Sequence, residues 1–187
     1  MRRWIIILMS ILVLSGLCGC DKVSAPGTPG ADSGTASQER QESGAGNILA
    51  DFHAIDLEGN TVSNDIFNAY QLTMINIWGT FCGPCIEEMP DIQRLQEQFK
   101  DRQVQVIGIV ADNKLQEARQ ITAAQGATYL NLIPDQSLMD NLISRFDYVP
   151  VTVFVDSEGR FLNTIVSGAR DYESYSKIIE GLLDNQR

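Results

Sequence analysis

Two cysteines three residues apart, Cys82 and Cys85, stand inside Trp78-Gly79-Thr80-Phe81-Cys82-Gly83-Pro84-Cys85-Ile86-Glu87-Glu88-Met89-Pro90. A Cys-x-x-Cys pair can hold a metal, attach a haem or cycle between dithiol and disulfide. Zinc needs about four ligands, and outside the first twenty residues the chain offers only these two cysteines and one histidine, His53. A c-type haem site needs histidine directly after the second cysteine; Ile86 stands there. A purely structural disulfide across so short a loop stabilises little. Redox exchange is the remaining chemistry. No metal and no cofactor is expected.

The pair lies where a strand hands over to a helix. Leu72-Thr73-Met74-Ile75-Asn76-Ile77 reads as a buried strand, and Ile92, Leu95, Gln96 and Phe99 mark one face of a helix that stops near Asp101. Residues i and i+3 on a helix have Cβ atoms about 5–6 Å apart, whereas a disulfide wants about 3.8 Å. A modest adjustment at the helix start therefore lets the pair close and open. At or just before the first turn, Cys82 meets unpaired N–H groups and the positive end of the helix dipole, which favour its thiolate. Cys82 is thus the expected attacking sulfur. Cys85, one turn deeper, resolves the mixed disulfide. Pro84 suits the first helical turn, and Gly83 keeps the approach open for a substrate backbone. Glu88 shares a helix face with Cys85; a carboxylate there disfavours thiolate and can shuttle the Cys85 proton. Against this, Glu87 and Glu88 both simply favour the N-terminal half of a helix.

Other elements alternate along the chain. Phe52, Ala54 and Leu57 lead through the turn Glu58-Gly59-Asn60 into Thr61-Val62, a β-hairpin. His53 lies in its first strand and reads as an exposed strand residue. Ser63 is a candidate cap for a short helix through Ile66-Phe67. Strands are expected at 103–110, 129–133, 148–155 and 161–166. Helices are expected at 114–124, closed by Gly126, at 137–146 and at 172–183. The turn at 156–160 makes the last two strands antiparallel. The pattern predicts an α/β fold whose central sheet is mostly parallel.

Composition restricts the partners. The chain has 187 residues and a net charge of -10. Arg2-Arg3 followed by an apolar run to Leu14 reads as a secretory signal, too short for the roughly 20 residues of a spanning helix. Taking Arg2 and Arg3 from the 14 basic residues leaves 12 against 24 acidic ones. No basic patch remains to neutralise phosphates, so nucleic acid is excluded. Leu17-Cys18-Gly19-Cys20 resembles a bacterial lipobox with Cys20 as the lipidated residue; an uncleaved membrane anchor is the alternative. Residues 21–47 are Gly-, Ser- and Ala-rich, a flexible tether reaching about 30 Å as a coil. The expected organisation is a leader over 1–20, a linker over 21–47 and a folded domain over 48–187, held outside the cytoplasm and anchored to the cell membrane by lipid.

From Asp51 to Leu183 the chain resembles the membrane-tethered thiol–disulfide oxidoreductases of the TlpA/ResA group, in the thioredoxin superfamily and related to the AhpC/TSA redoxins. The hairpin Asp56 to Val62, the motif Trp78 to Pro90 and Val149-Pro150 carry the resemblance. Asn76 stands where thioredoxin has a buried aspartate, and Glu88 and Pro90 complete a Cys-x-x-Glu-x-Pro pattern. Phe81 replaces the tryptophan common before the first cysteine. The resemblance implies a three-layer α/β/α thioredoxin fold with a central mixed sheet, an N-terminal β-hairpin and an inserted strand–helix unit. It implies Cys82 as nucleophile, Cys85 as resolving thiol, a reversible Cys82–Cys85 disulfide and Glu88 as the carboxylate that tunes them. It implies a cis Pro150 facing the pair, with Val149 free to pair with an extended substrate. Trp78, Phe81, Gly83 and Pro84 complete the expected substrate contacts. The function implied is reduction of disulfides in extracytoplasmic proteins, in cytochrome c maturation or in supplying electrons to another secreted redox protein. Electrons would come from a membrane thiol donor of the CcdA/DsbD type. Two alternatives are weighed: a peroxiredoxin-like peroxidase, which wants Thr or Ser where Gly79 stands, and a non-catalytic binding lipoprotein.

Overall fold

The computed structural model describes residues 47–185. The expected signal, Cys20 as the expected lipidation site and the expected linker before Asn47 lie outside the described residues. Among the described residues no helix is long and apolar enough to cross a membrane.

The hairpin forms as expected, from β1 (His53–Asp56) and β2 (Thr61–Ser63). Asp56 shapes its turn by accepting hydrogen bonds from the Glu58 and Asn60 backbone N–H groups at 2.9 and 2.8 Å. Ser63 caps a 3-10 turn over Asn64–Phe67. His53 is exposed on β1. The apolar run gives β3 (Leu72–Trp78), buried at every position. Helix α1 (Gly83–Phe99) follows and buries Cys85, Glu88, Met89, Ile92, Leu95 and Phe99. Gln96, expected on that face, uses its side-chain oxygen to accept from the Val106 N–H at 2.7 Å. Helix α1 runs on through Pro90, whose missing N–H leaves the Ile86 carbonyl without its usual helical donor.

Next come β4 (Val104–Val110) and α2 (Leu115–Gln125), closed by Gly126 at φ 67°, a conformation that favours glycine. Then follow β5 (Leu130–Ile133), α3 (Gln136–Asn141), β6 (Val151–Val155), β7 (Phe161–Ser167) and α4 (Tyr172–Asp184). Two expected elements differ. The helix foreseen at 137–146 starts one residue earlier, capped by Asp135, and breaks at Leu142 into a 3-10 turn over Ile143–Arg145. The strand foreseen from Tyr148 begins only at Val151, because the Val149–Pro150 peptide is cis and turns the chain there.

The sheet order is β2-β1-β5-β4-β3-β6-β7. Strands β3, β4 and β5 are parallel; β6 runs antiparallel to β3, and β7 antiparallel to β6. This is the expected mixed sheet, parallel at its centre. Alternate residues of β3 and β4 serve two cores. Met74, Trp78, Val106 and Val110 pack with α1, α2 and α4. Ile75, Ile77, Ile107 and Ile109 pack with Phe52, Phe67, Leu138 and Leu142. The three-layer α/β/α thioredoxin fold is thus formed, with the cysteines at the end of β3 where α1 begins.

Candidate active site

Cys82 is the N-cap of α1, in extended conformation at φ -95° and ψ 98°. Cys85 lies in the first turn. Cys82 stands outside the helix in extended conformation, free to turn its side chain toward Cys85; the Cα atoms are 5.3 Å apart and the sulfurs are bonded as a disulfide. That is the local adjustment the spacing requires. The Cys85 N–H donates to the Cys82 Sγ at 3.3 Å, the position a capping oxygen would take. The same N–H and the helix dipole stabilise a thiolate on Cys82 once the disulfide opens.

Burial distinguishes the two sulfurs. Cys82 keeps 7% of its surface, and Cys85 keeps none. The cis Val149–Pro150 peptide faces the pair, and the Val149 carbonyl oxygen is 3.6 Å from the Cys82 Sγ. The Pro150 carbonyl accepts from the Gly168 N–H at 2.9 Å, which ties this loop to the end of β7. A groove of about 480 Å³ opens beside Cys82, lined among others by Phe81, Gly83, Pro84, Tyr148 and Val149. Phe81 is 72% exposed and Tyr148 56% exposed. Four of the six expected contact residues, Phe81, Gly83, Pro84 and Val149, line this groove.

Trp78 does not. It is fully buried, so it touches no partner and the expectation of a substrate contact is corrected. The strand carries its indole inward, where its Nε1 donates to Asn131 Oδ1 at 2.9 Å. Asn131 is held in turn by donating to the Tyr129 carbonyl at 2.9 Å. The loop between Trp78 and Cys82 is pinned from the turn after β4: the Thr80 hydroxyl donates to Asp112 Oδ2 at 2.6 Å.

Glu88 is 4% exposed, beneath the pair on α1. Its Oε1 accepts from Asn76 Nδ2 at 2.9 Å. Its Oε2 accepts from the Arg170 N–H at 3.0 Å and from the Tyr175 hydroxyl at 3.2 Å. Burial pushes the carboxyl above its ordinary range, against the pull of the Arg170, Asn76 and Tyr175 hydrogen bonds. The folded protein therefore holds a proton over a pH window in which the unfolded chain has lost it. Unfolding free energy falls as pH rises through that window, from the ordinary carboxylate value to the raised one. Urea midpoints between about pH 4 and pH 8 are expected to show this decline, and Glu88→Gln to flatten it. Equal slopes for both proteins would contradict the raised carboxyl.

Asn131, Asp112, Thr152, Arg170 and Tyr175 were not legible as site residues. Only the buried tyrosine left a signal, since a buried hydroxyl needs a partner, and nothing in the sequence names that partner. Among the described residues no group of His, Cys, Asp and Glu side chains could hold a metal ion.

The Redoxin family model matches residues 44–175. The chain is 23% identical over 146 residues to the thiol-disulfide oxidoreductase ResA of Halalkalibacterium halodurans, covering 76% of this chain and 81% of that one. It is 30% identical over 106 residues to ResA of Bacillus thuringiensis subsp. konkukian, covering 57% of each. The crystal structure of a thioredoxin-family thiol:disulfide interchange protein from Chlorobium tepidum superposes with a TM-score of 0.64 at 20% identity, over 73% of this chain and 96% of that one.

Proposed function

We propose, on the premise that this chain belongs to the Redoxin family, that its thiol–disulfide oxidoreductase chemistry runs as reduction of disulfides in extracytoplasmic proteins. The observation that carries the reading is the disulfide at the start of α1, with one sulfur reachable beside a groove and the other buried. In the dithiol form the Cys82 thiolate attacks a substrate disulfide. One new S–S bond joins Cys82 to the substrate, and the first substrate thiolate leaves. Cys85 passes its proton to Glu88 and attacks the Cys82 sulfur. The Cys82–Cys85 disulfide forms and the second substrate thiolate leaves; the two substrate thiolates become thiols with two protons from solvent, to which Glu88 returns the proton of Cys85. Two electrons pass from the pair to the substrate.

An extended substrate segment is expected to lie along Val149. No hydrogen bond among the described residues uses the Val149 N–H, so that donor is available for strand-like pairing. Phe81 and Tyr148 flank the approach and supply apolar contact. Phe81→Ala is expected to raise KM about tenfold for a protein disulfide, as for loss of an exposed aromatic anchor. The rate with a small aromatic disulfide stays within about twofold of the parent, because that reaction needs only the sulfur. Equal losses on both substrates would remove Phe81 from partner recognition.

Catalytic cycling needs a source of electrons. The lipobox-like Leu17 to Cys20 and the linker over 21–47 support a domain tethered to the cell membrane by lipid, supplied by a membrane thiol donor of the CcdA/DsbD type. Cysteines of apocytochrome c, or another secreted redox protein, are the substrates this reading favours. The test is the reduction potential of the Cys82–Cys85 couple against glutathione. A value below about -200 mV supports a reductant, and one near -120 mV, typical of a strong oxidase, overturns the direction.

A further inference from the structure

A row of polar side chains crosses the sheet under α1. Asn131, Gly108, Asn76 and Thr152 are register partners on β5, β4, β3 and β6, so they share one face of the sheet. Asn76 and Thr152 are buried. Asn76 Nδ2 donates one hydrogen to Glu88 Oε1 at 2.9 Å and one to Thr152 Oγ1 at 3.0 Å. Thr152 Oγ1 is 3.0 Å from the Tyr175 hydroxyl, which is 3.2 Å from Glu88 Oε2. The four side chains close a ring.

The ring has one direction. An ionised carboxylate only accepts, so the Tyr175 proton goes to Glu88. Thr152, already accepting from Asn76, gives its own proton to Tyr175. Every hydrogen then runs toward the carboxylate. A proton arriving on Oε1 would share that oxygen with the Asn76 N–H, which a neutral carboxyl accepts more weakly than a carboxylate does. A proton arriving on Oε2 would reverse both hydroxyls, so that Thr152 Oγ1 accepts from Asn76 and Tyr175 together and its own hydrogen loses its acceptor in the ring. We propose that Tyr175 and Thr152, with Asn76, are positioning residues that hold Glu88 as a proton acceptor one helical turn from Cys85. This rests on the reading of Glu88 given above and adds what keeps it competent inside an apolar core.

The other groups around the carboxyl are consistent with this. From α1 comes the buried Cys85. Ahead of α4 comes Arg170, whose backbone N–H donates to Oε2 and whose positive charge favours the ionised form. Ahead of β5 comes Tyr129, buried, with its hydroxyl proton unpaired among the described residues. Burial and the Glu88 charge both push the Tyr175 hydroxyl above its ordinary value, so it remains a donor at every working pH.

The experiment follows the Glu88 carboxyl carbon by NMR against pH in the disulfide form. Tyr175→Phe, which keeps the ring shape and removes the hydroxyl, is expected to move the midpoint up by about one pH unit, a tenfold change, as for loss of one hydrogen bond to a charged group. Thr152→Val moves it in the same direction by less, and Thr152→Ser restores the wild-type midpoint. The acid limb of the pH–rate profile for resolution of the mixed disulfide moves in parallel. A midpoint in Tyr175→Phe within about 0.2 of wild type, whatever its unfolding temperature, overturns the proposal, since a merely structural hydroxyl alters stability and not the titration. If that variant does not fold, the Thr152→Val and Thr152→Ser pair decides by the same criterion. Glu88→Gln separates the two levels: an acid limb that persists in it overturns the reading of Glu88, while the carboxyl titration still reads the ring.

Discussion

Cys82→Ser is expected to lower kcat/KM for disulfide reduction by at least about 10³-fold, since the nucleophile itself is lost. A serine hydroxyl at the N-cap receives the same Cys85 N–H, so the fold is kept and only the nucleophile goes. Cys85→Ala has the complementary outcome. Attack by Cys82 continues, resolution stops, and partners accumulate as mixed disulfides on Cys82. The asymmetry follows from burial: Cys82 opens to the groove, while Cys85 lies wholly inside the core with Met89, Tyr129 and Tyr175. Non-reducing gels of the two variants read it directly, and the trapped species identify the substrates. Multiple turnovers by Cys85→Ala, or partners captured on Cys85 in Cys82→Ser, would reverse the assignment.

Gly108→Ala is expected to cost about 3 kcal/mol of stability, combining overpacking with a lost buried hydrogen bond. A Cβ at this position would stand 2.0 Å from Asn131 Oδ1 and 3.0 Å from Trp78 Nε1. Gly108 lies between Asn76 and Asn131 in register, and its missing side chain is the space through which Asn131 reaches the indole. Displacing Asn131 leaves the Trp78 N–H buried without an acceptor. Urea unfolding checks the loss. Trp78 is the only tryptophan among the described residues, so its emission reports the same site. A midpoint unchanged from the parent would mean that Asn131 has room to move aside. Because Trp78 starts the loop to Cys82, the variant is also expected to loosen the position of the reactive sulfur.

Much of the site could be read in advance because it is local. The apolar run of β3, the Cys-x-x-Cys spacing, Pro84 in the first turn and Glu88 on the Cys85 face all lie within one strand–helix hand-over. Their relations follow from helix and strand periods. The hairpin before them and the helix closed by Gly126 were legible for the same reason. Errors came where tertiary contacts outweighed local pattern. Trp78 looks like a contact residue beside the motif, yet both faces of β3 are covered and its indole bonds to Asn131 of β5, 53 residues away along the chain. Asp135 caps α3 through the Leu138 N–H and also accepts from the His53 N–H of β1, and those bonds set the helix start ahead of Ser137.

Sequence alone therefore determined the chemistry available: two cysteines at redox spacing, too few ligands for zinc, and no histidine for haem. It also determined the α/β class, since strands and helices alternate with clear periods. Tertiary structure decided which sulfur a partner can reach and which groups surround Glu88. Asn76, Thr152 and Tyr175 converge on that carboxylate from positions up to 87 residues away along the chain. Their meeting depends on strand order and cross-strand register. It also depends on desolvation beneath α1, which makes every unpaired proton there costly. No local period encodes either, because both arise only when the layers close on one another.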